Sequence, residues 1–179
     1  MATTDTPGTP AAALPAGVWR VDPSSSELGF RARGVFGLVT VKGTFGDYEG
    51  ELHVDDAGAR GELRIKATSL NTGNGTRDTH LRSADFFHVQ SHDTVTFSLT
   101  DVAAAADGGL TLTGVLRIRD HALEVAAPLE VLTADGDRLT VRTEVSVDRA
   151  AAGVGWSRAG MIKGPAHLSA ALALVRDTP

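Results

Sequence analysis

An all-β chain, closed into one antiparallel barrel of about eight strands with one short helix, is the fold this sequence predicts. Three observations predict it. From Val18 onward the chain runs in short apolar/polar alternations, the period of half-buried strands. Clusters of Asp, Gly, Asn and Ala punctuate these runs at hairpin spacing. Only one stretch, near Arg77, breaks the alternation in a way that suits a helix. A sandwich fits the same pattern, but closing the sheet removes its edge strands and favours the barrel.

The elements follow in order. Leu28, Phe30 and Ala32 share one parity, as do Val39, Val41 and Phe45. Gly46-Asp47 reads as a turn into a strand bearing Leu52 and Val54. Asp55-Asp56-Ala57-Gly58 turns the chain into Leu63, Ile65 and Ala67. Leu70 to Gly75 reads as a loop, and Thr76 as the cap of a helix from Arg77 to about Ala84. Strands resume with Val95, Phe97 and Leu99. Asp107-Gly108-Gly109 precedes Leu110, Leu112, Gly114, Leu116 and Ile118. A tight turn near Asp120 starts Leu123, Val125, Ala127, Leu129 and Val131. Ala134 to Asp137 is a hairpin turn into Leu139, Val141, Thr143, Val145 and Val147. Ala150 to Gly164 is a Gly-rich loop, and Leu168, Ala170, Leu172 and Leu174 form the last strand.

The expected organisation is a disordered tail over residues 1–17, one barrel over 18–176 and a short tail over 177–179. The Thr-, Pro- and Ala-rich start lacks the basic residues and apolar run of a signal peptide, so a cytoplasmic protein is expected. No stretch approaches the ~20 apolar residues of a membrane span, so no stable membrane insertion is expected. The net charge of -5 argues against nucleic acid as a partner and against anionic membrane surfaces. With no cysteine, disulfides, thiolate nucleophiles and Cys-type metal sites are excluded.

Charge separates the two strand faces. Arg31, Arg33, Lys42, Arg64, Lys66, Arg117, Arg119 and Arg142 fall on the polar parity, with Glu124, Glu130 and Glu144. The apolar parity holds Ser69, His121 and Thr143 as its few polar members. A charge-free inner face suits a packed core and equally suits an apolar lumen, because an unpaired charge is costly in either.

The residues between Asp22 and Trp156 carry a more specific signal. Val21-Asp22-Pro23-Ser24-Ser25-Ser26, followed by Leu28-Gly29-Phe30, resembles the opening strand of the YceI-like family of lipocalin-like, polyisoprenoid-binding barrels. The run from Val41 to Gly50 resembles that family's second hairpin. The string Ser69-Leu70-Asn71-Thr72-Gly73-Asn74 through Arg77-Asp78-Thr79-His80-Leu81-Arg82-Ser83-Ala84-Asp85-Phe86-Phe87 is the most specific match. Gly114 to Arg119 and Gly153 to Trp156 extend it. Two places depart from the pattern: Asp120-His121-Ala122-Leu123 replaces a Thr-Arg-Pro-like turn, and Ala151-Ala152 replaces an acidic residue and Phe.

The resemblance implies a lipocalin-like barrel with a helix beside it, a long apolar cavity for an isoprenoid, quinone or similar lipid, and no cofactor. The expected lining is Phe30, Val41, Phe45, Ile65, Phe97, Leu116, Ile118, Val125, Leu129, Val141 and Leu172 from the strands. Leu81, Phe86 and Phe87 join from the helix region, and His121, Thr143 and Trp156 as polar contacts. Arg77, Arg82 and Arg158 are expected at the cavity mouth, and Arg149 and Lys163 are the other cations that the helix and the long loop can bring to one. Asp78, Asp85 and Asp148 are expected to engage the mouth cations, which favours a neutral ligand head.

The function expected is carriage or storage of a long-chain apolar small molecule, by a monomer or a homodimer. The alternative is a cyclase or isomerase that folds a greasy substrate inside the barrel by positioning and exclusion of water. No catalytic constellation is visible, so an enzyme is not the leading expectation. His80, His88 and His92 match no standard metal spacing, so no metal is expected. Gly73-x-Gly75 opens no βαβ unit, and no Gly-x-Ser-x-Gly elbow is present.

Overall fold

The computed structural model describes residues 14–34, 38–155 and 163–178. The tail expected over residues 1–17 lies outside these up to residue 13. From Leu14 the chain already packs: Leu14 joins a core cluster, and the Pro15 carbonyl accepts the Trp19 indole N–H at 3.0 Å.

Eleven strands form one antiparallel sheet: β1 (Gly17–Val21), β2 (Glu27–Gly34), β3 (Val39–Phe45), β4 (Tyr48–Asp55), β5 (Gly58–Lys66), β6 (Leu70–Asn71), β7 (Thr94–Ala104), β8 (Leu110–Ile118), β9 (His121–Asp135), β10 (Arg138–Val147) and β11 (Lys163–Arg176). One helix, α1 (Gly75–Arg82), follows β6. The sheet closes because β11 pairs β10 on one side and both β2 and β1 on the other.

That double pairing explains how eleven strands make eight staves. β1 and β2 run in the same direction along one edge of β11, β1 against Leu174–Arg176 and β2 against Lys163–Ala171. A single 3-10 turn at Pro23–Ser25 separates them. The Asp22 carboxylate organises that turn by accepting from the Ser24 N–H at 3.0 Å and the Ser24 hydroxyl at 2.6 Å. β3 pairs β2 while β4 pairs β1, so β3 and β4 also run in one direction. Gly46-Asp47 is therefore a bend within one long stave, which corrects its reading as a turn between two hairpin strands. β5 and β6 form a third broken stave, interrupted by a 3-10 turn at Ala67–Ser69. Leu70 and Asn71 thus belong to the sheet, where the sequence reads as loop. Three broken and five continuous staves make a closed eight-strand barrel with a helix beside it.

The helix starts two residues before the expected position. Its cap is Asn74, whose side-chain oxygen accepts from the Arg77 N–H at 3.0 Å. Asn is a better cap than Thr, and it leaves Gly75 and Thr76 inside the first turn.

Register decides which apolar residues face in. A bulge between Leu99 and Asp101 resets the parity of β7. A second bulge opposite Thr140 and Val141 leaves Leu132 unpaired and 38% exposed.

Two apolar clusters fill the interior. One gathers Trp19, Leu52, Ala59, Leu139, Val141 and Leu174, and plugs the end where β1 closes the ring. Trp19 and Leu139 are fully buried, and the Arg176 guanidinium lies 4.4 Å over the Trp19 ring. The C-terminus is tied to the same end: the Asp177 N–H donates to the Val18 carbonyl at 2.8 Å, so the barrel extends one residue past Arg176. The other cluster contains Leu28, Tyr48, Ile65, Phe86, Leu116, Ile118 and Val147, and surrounds a cavity.

Candidate functional site

The cavity measures about 350 Å³ and sits in the half of the barrel away from Trp19. That is within the ~300–1,000 Å³ range of small-molecule sites. The strands present Leu28, Phe30, Ala32, Val41, Phe45, Leu63, Ile65, Val95, Phe97, Leu116, Ile118, Val125 and Leu168 to it. Small residues make the space: Gly29, Gly34, Ala127, Ala166 and Ala170 line the wall where larger side chains would fill it.

The connection between β6 and β7 covers this half. Leu81 of α1 and Phe86 and Phe87 after it face the cavity, with Phe86 buried. Phe45 stands between Phe30 and Phe87, with ring centroids 5.5 and 6.0 Å away. The Arg119 guanidinium clasps this cover to the barrel. Its Nη1 donates to the carbonyls of Ala84, Phe86 and Gly153 at 3.1–3.3 Å. Arg119 has a positive φ of 55° in the β8–β9 turn, so it folds over the cover and does not follow the outward strand parity.

The helix itself is anchored through Thr72. Asp78, buried at 7% exposure, accepts from the Thr72 N–H at 3.0 Å and from its hydroxyl. Arg77 donates from Nε to Thr72 Oγ1 at 2.8 Å and from Nη2 to the Thr72 carbonyl at 3.0 Å. Arg82 donates to the carbonyls of Thr68 and Leu70 at 3.1 and 2.7 Å. Helix, 3-10 turn and β6 are thereby held as one unit.

The predicted lining divides in two. Phe30, Val41, Phe45, Ile65, Leu81, Phe86, Phe87, Phe97, Leu116, Ile118, Val125 and Thr143 all stand on the cavity wall. Val141, Leu129 and Leu172 do not; Val141 and Leu129 pack on the Trp19 cluster because their strand positions lie nearer the plugged end, and Leu172 packs between that cluster and the one around the cavity. His121 is exposed at the β8–β9 turn, off the wall. The Thr143 hydroxyl donates to the Pro128 carbonyl at 2.8 Å. Trp156 and Arg158 lie outside the described residues. Arg77 reaches the cavity, whereas Arg82 serves the helix anchor and is not on the wall.

Arg149, read from the sequence as a cation that the long loop could bring to the mouth, stands on the wall, and so does His80, which sequence reasoning missed. His80 packs its ring edge-on to Phe86 at 5.2 Å and pairs with Asp85 at 3.0 Å. Arg149 follows β10 and donates from Nε to the Gly164 carbonyl at 3.0 Å. Burial pushes the Arg149 guanidinium below its ordinary pKa, and the neighbouring Asp148 opposes that shift. Among the described residues no three metal-ligating side chains converge. None of their helices is long and apolar enough to cross a membrane.

Comparison with known proteins agrees with this architecture. The YceI-like domain model matches residues 19–174. The chain belongs to the YceI-like family. A UPF0312 protein of Ectopseudomonas mendocina is 35% identical over 79 residues, covering 42% of this chain and 41% of that relative. One from Pseudomonas aeruginosa is 36% identical over 83 residues, covering 42% and 44%. The chain thus aligns with less than half the length of either relative. Among solved YceI-like folds, BcnA of Burkholderia cenocepacia superposes with a TM-score of 0.77 at 20% identity, covering 86% of this chain and 98% of that one. A protein described as a polyisoprenoid binding domain from Saccharophagus degradans superposes at 0.72 with 19% identity, covering 89% and 98%. At these identities the likeness concerns the fold.

Proposed function

We propose that this YceI-like barrel binds one long apolar molecule in its cavity and carries or stores it. The observation that carries this reading is the cavity itself: an apolar space within a closed barrel, walled mainly by Leu, Val, Ile, Phe, Ala and Gly from eight staves and a helix. Apolar surface removed from water there stabilises the complex by ~25 cal/mol per Å² before the costs of association. The polyisoprenoid-binding description of the Saccharophagus neighbour supports the same ligand class, in which isoprenoids, quinones and similar lipids belong.

Native mass spectrometry of protein purified from its own host, followed by lipid extraction, tests the reading. A bound species with a long hydrocarbon chain is expected. A barrel that emerges empty and takes up no polyprenol or quinone from mixed micelles overturns it.

A further inference from the structure

Among the described residues, the large hydrophobic side chains that stand exposed are Leu38, Val39 and Leu132. Leu38 and Val39 are adjacent, at 85% and 46% exposure, on the β3 side of the β2–β3 hairpin tip. β11 fixes the place of that tip. Its Leu174–Arg176 end pairs β1 beside the Trp19 plug, and its Lys163 end pairs Arg33 of β2. The tip therefore lies at the opposite end of the barrel from the plug. Gly34, which pairs with Val39, lines the cavity, and so do Ala32 and Val41 on the next inward-facing rung.

Strand pairing leaves this part of the wall open on one side. Val39 to Gly43 pair with β2, whereas among the described residues β3 meets β6 only through Thr44 and Phe45. Arg77 and Leu81 of α1 line the same cavity as Val41 of that edge. A long molecule arriving at the tip would thus pass a strand edge and a helix, not a closed hydrogen-bonded ladder.

Charge identifies the surface that suits the tip. The chain carries a net charge of -5, yet from Leu28 to Phe45 it holds Arg31, Arg33 and Lys42 and no Asp or Glu. All three cations are exposed. Arg31 pairs with Glu144 at 2.6 Å, while Arg33 and Lys42 make no ion pair among the described residues. Exposed apolar side chains flanked by basic ones match an anionic lipid surface: the apolar groups enter the headgroup boundary and the cations meet phosphate. A second copy of the same tip, related by a two-fold axis, would set cation against cation.

We propose that the β2–β3 tip docks the barrel on anionic phospholipid bilayers, with Leu38 and Val39 in the interface and Arg33 and Lys42 on the headgroups. Docked this way, the barrel brings its cavity to the membrane from which an apolar ligand passes; that exchange role rests on the carrier reading above.

Co-sedimentation of the full chain with vesicles of phosphatidylcholine, alone or with one third phosphatidylglycerol, tests this. Binding to the mixed vesicles is expected, weaker by about tenfold without phosphatidylglycerol and weakened by salt, because each basic residue near an anionic surface is worth about fivefold. Leu38→Asp and the double variant Arg33→Gln/Lys42→Gln should each lose about tenfold. Leu132→Asp should bind like the wild type, since Leu132 lies toward the β9–β10 turn at the plugged end. Circular dichroism checks that the variants are folded. Absence of vesicle binding, or binding that Leu38→Asp and the double variant leave unchanged, overturns the proposal. So does a wild-type dimer in size-exclusion chromatography that Leu38→Asp converts to a monomer, because the tip then belongs to a second copy. Polyprenol uptake from micelles without vesicle binding sinks the docking and leaves the carrier standing. Vesicle binding with no polyprenol uptake from micelles or vesicles upholds the docking surface and sinks the carrier, and the exchange role with it.

Discussion

The ring of Phe30 occupies the space that a Cβ on Gly43 would need. The two residues face each other across the β2–β3 pair, and the Thr72 methyl closes the other side of the same spot. Glycine at 43 is thus what lets Phe30 lie flat against the wall and leave the cavity open. Gly43→Val should push the ring inward and cost about 1–3 kcal/mol through overpacking. Thermal unfolding and uptake of an apolar fluorophore check this together. A lower Tm with reduced uptake is expected; unchanged uptake would show that Phe30 has another place to go.

Trp19 and the cavity are separate parts of one interior. Trp19 is fully buried among Leu52, Leu139 and Leu174, and its indole N–H holds the Pro15 carbonyl. Trp19→Ala should cost about 3–5 kcal/mol, the range for large buried aromatics. It should also release Leu14 and Pro15 from the barrel end. Denaturant unfolding gives the first number, and limited proteolysis near residue 14 reads the second effect.

The distinction between plug and cavity was not legible in the sequence, although the inner face was. Parity placed Phe30, Ile65, Phe97 and Leu116 inside because alternation survives in any register. It placed Val141 and Leu129 inside equally well, but gave no height along the barrel axis. Height depends on which strands meet at the same level. Trp19 opposes Leu52 on β4 and Arg176 on β11, pairings far apart in sequence. The broken staves were hidden for a related reason. Gly46-Asp47 between two alternating runs looks the same whether the chain reverses or bends, and only the partner strands decide. His80 reached the wall from a short helix, where strand parity guides no prediction.

The junction between β1 and β2 should respond to acid. The Ser24 and Ser25 side chains hold the Asp22 carboxyl below its ordinary value of 3.8, with help from the Ser24 N–H and the more distant Arg138 charge. A carboxyl depressed on folding contributes stability above its unfolded pKa and loses that contribution as pH falls through its folded pKa. The loss should therefore begin near pH 3.8 and continue below it. Asp22→Ala should flatten this part of the stability profile measured by urea unfolding between pH 2.5 and 6. A mutant profile parallel to the wild type would show that other acids govern the region.

Ile65 and Leu129 look alike in the sequence, each an inward aliphatic residue in mid-strand, yet Trp at the two positions should act differently. Ile65 is buried on the cavity wall, beside Tyr48 and Val95 in the surrounding cluster. A Trp there has space in front of it, so Ile65→Trp should fold with a Tm near that of the parent and block ligand uptake. Leu129 is partly buried against the Trp19 cluster and is not among the residues that line the cavity. Leu129→Trp should overpack that end, lower stability by about 1–3 kcal/mol and leave uptake in the folded fraction close to normal. Lipid recovered per folded barrel, measured beside the unfolding midpoint, separates the two outcomes. If Leu129→Trp abolished uptake without loss of stability, the cavity would have to run through the Trp19 plug, and the division of the interior described above would be wrong.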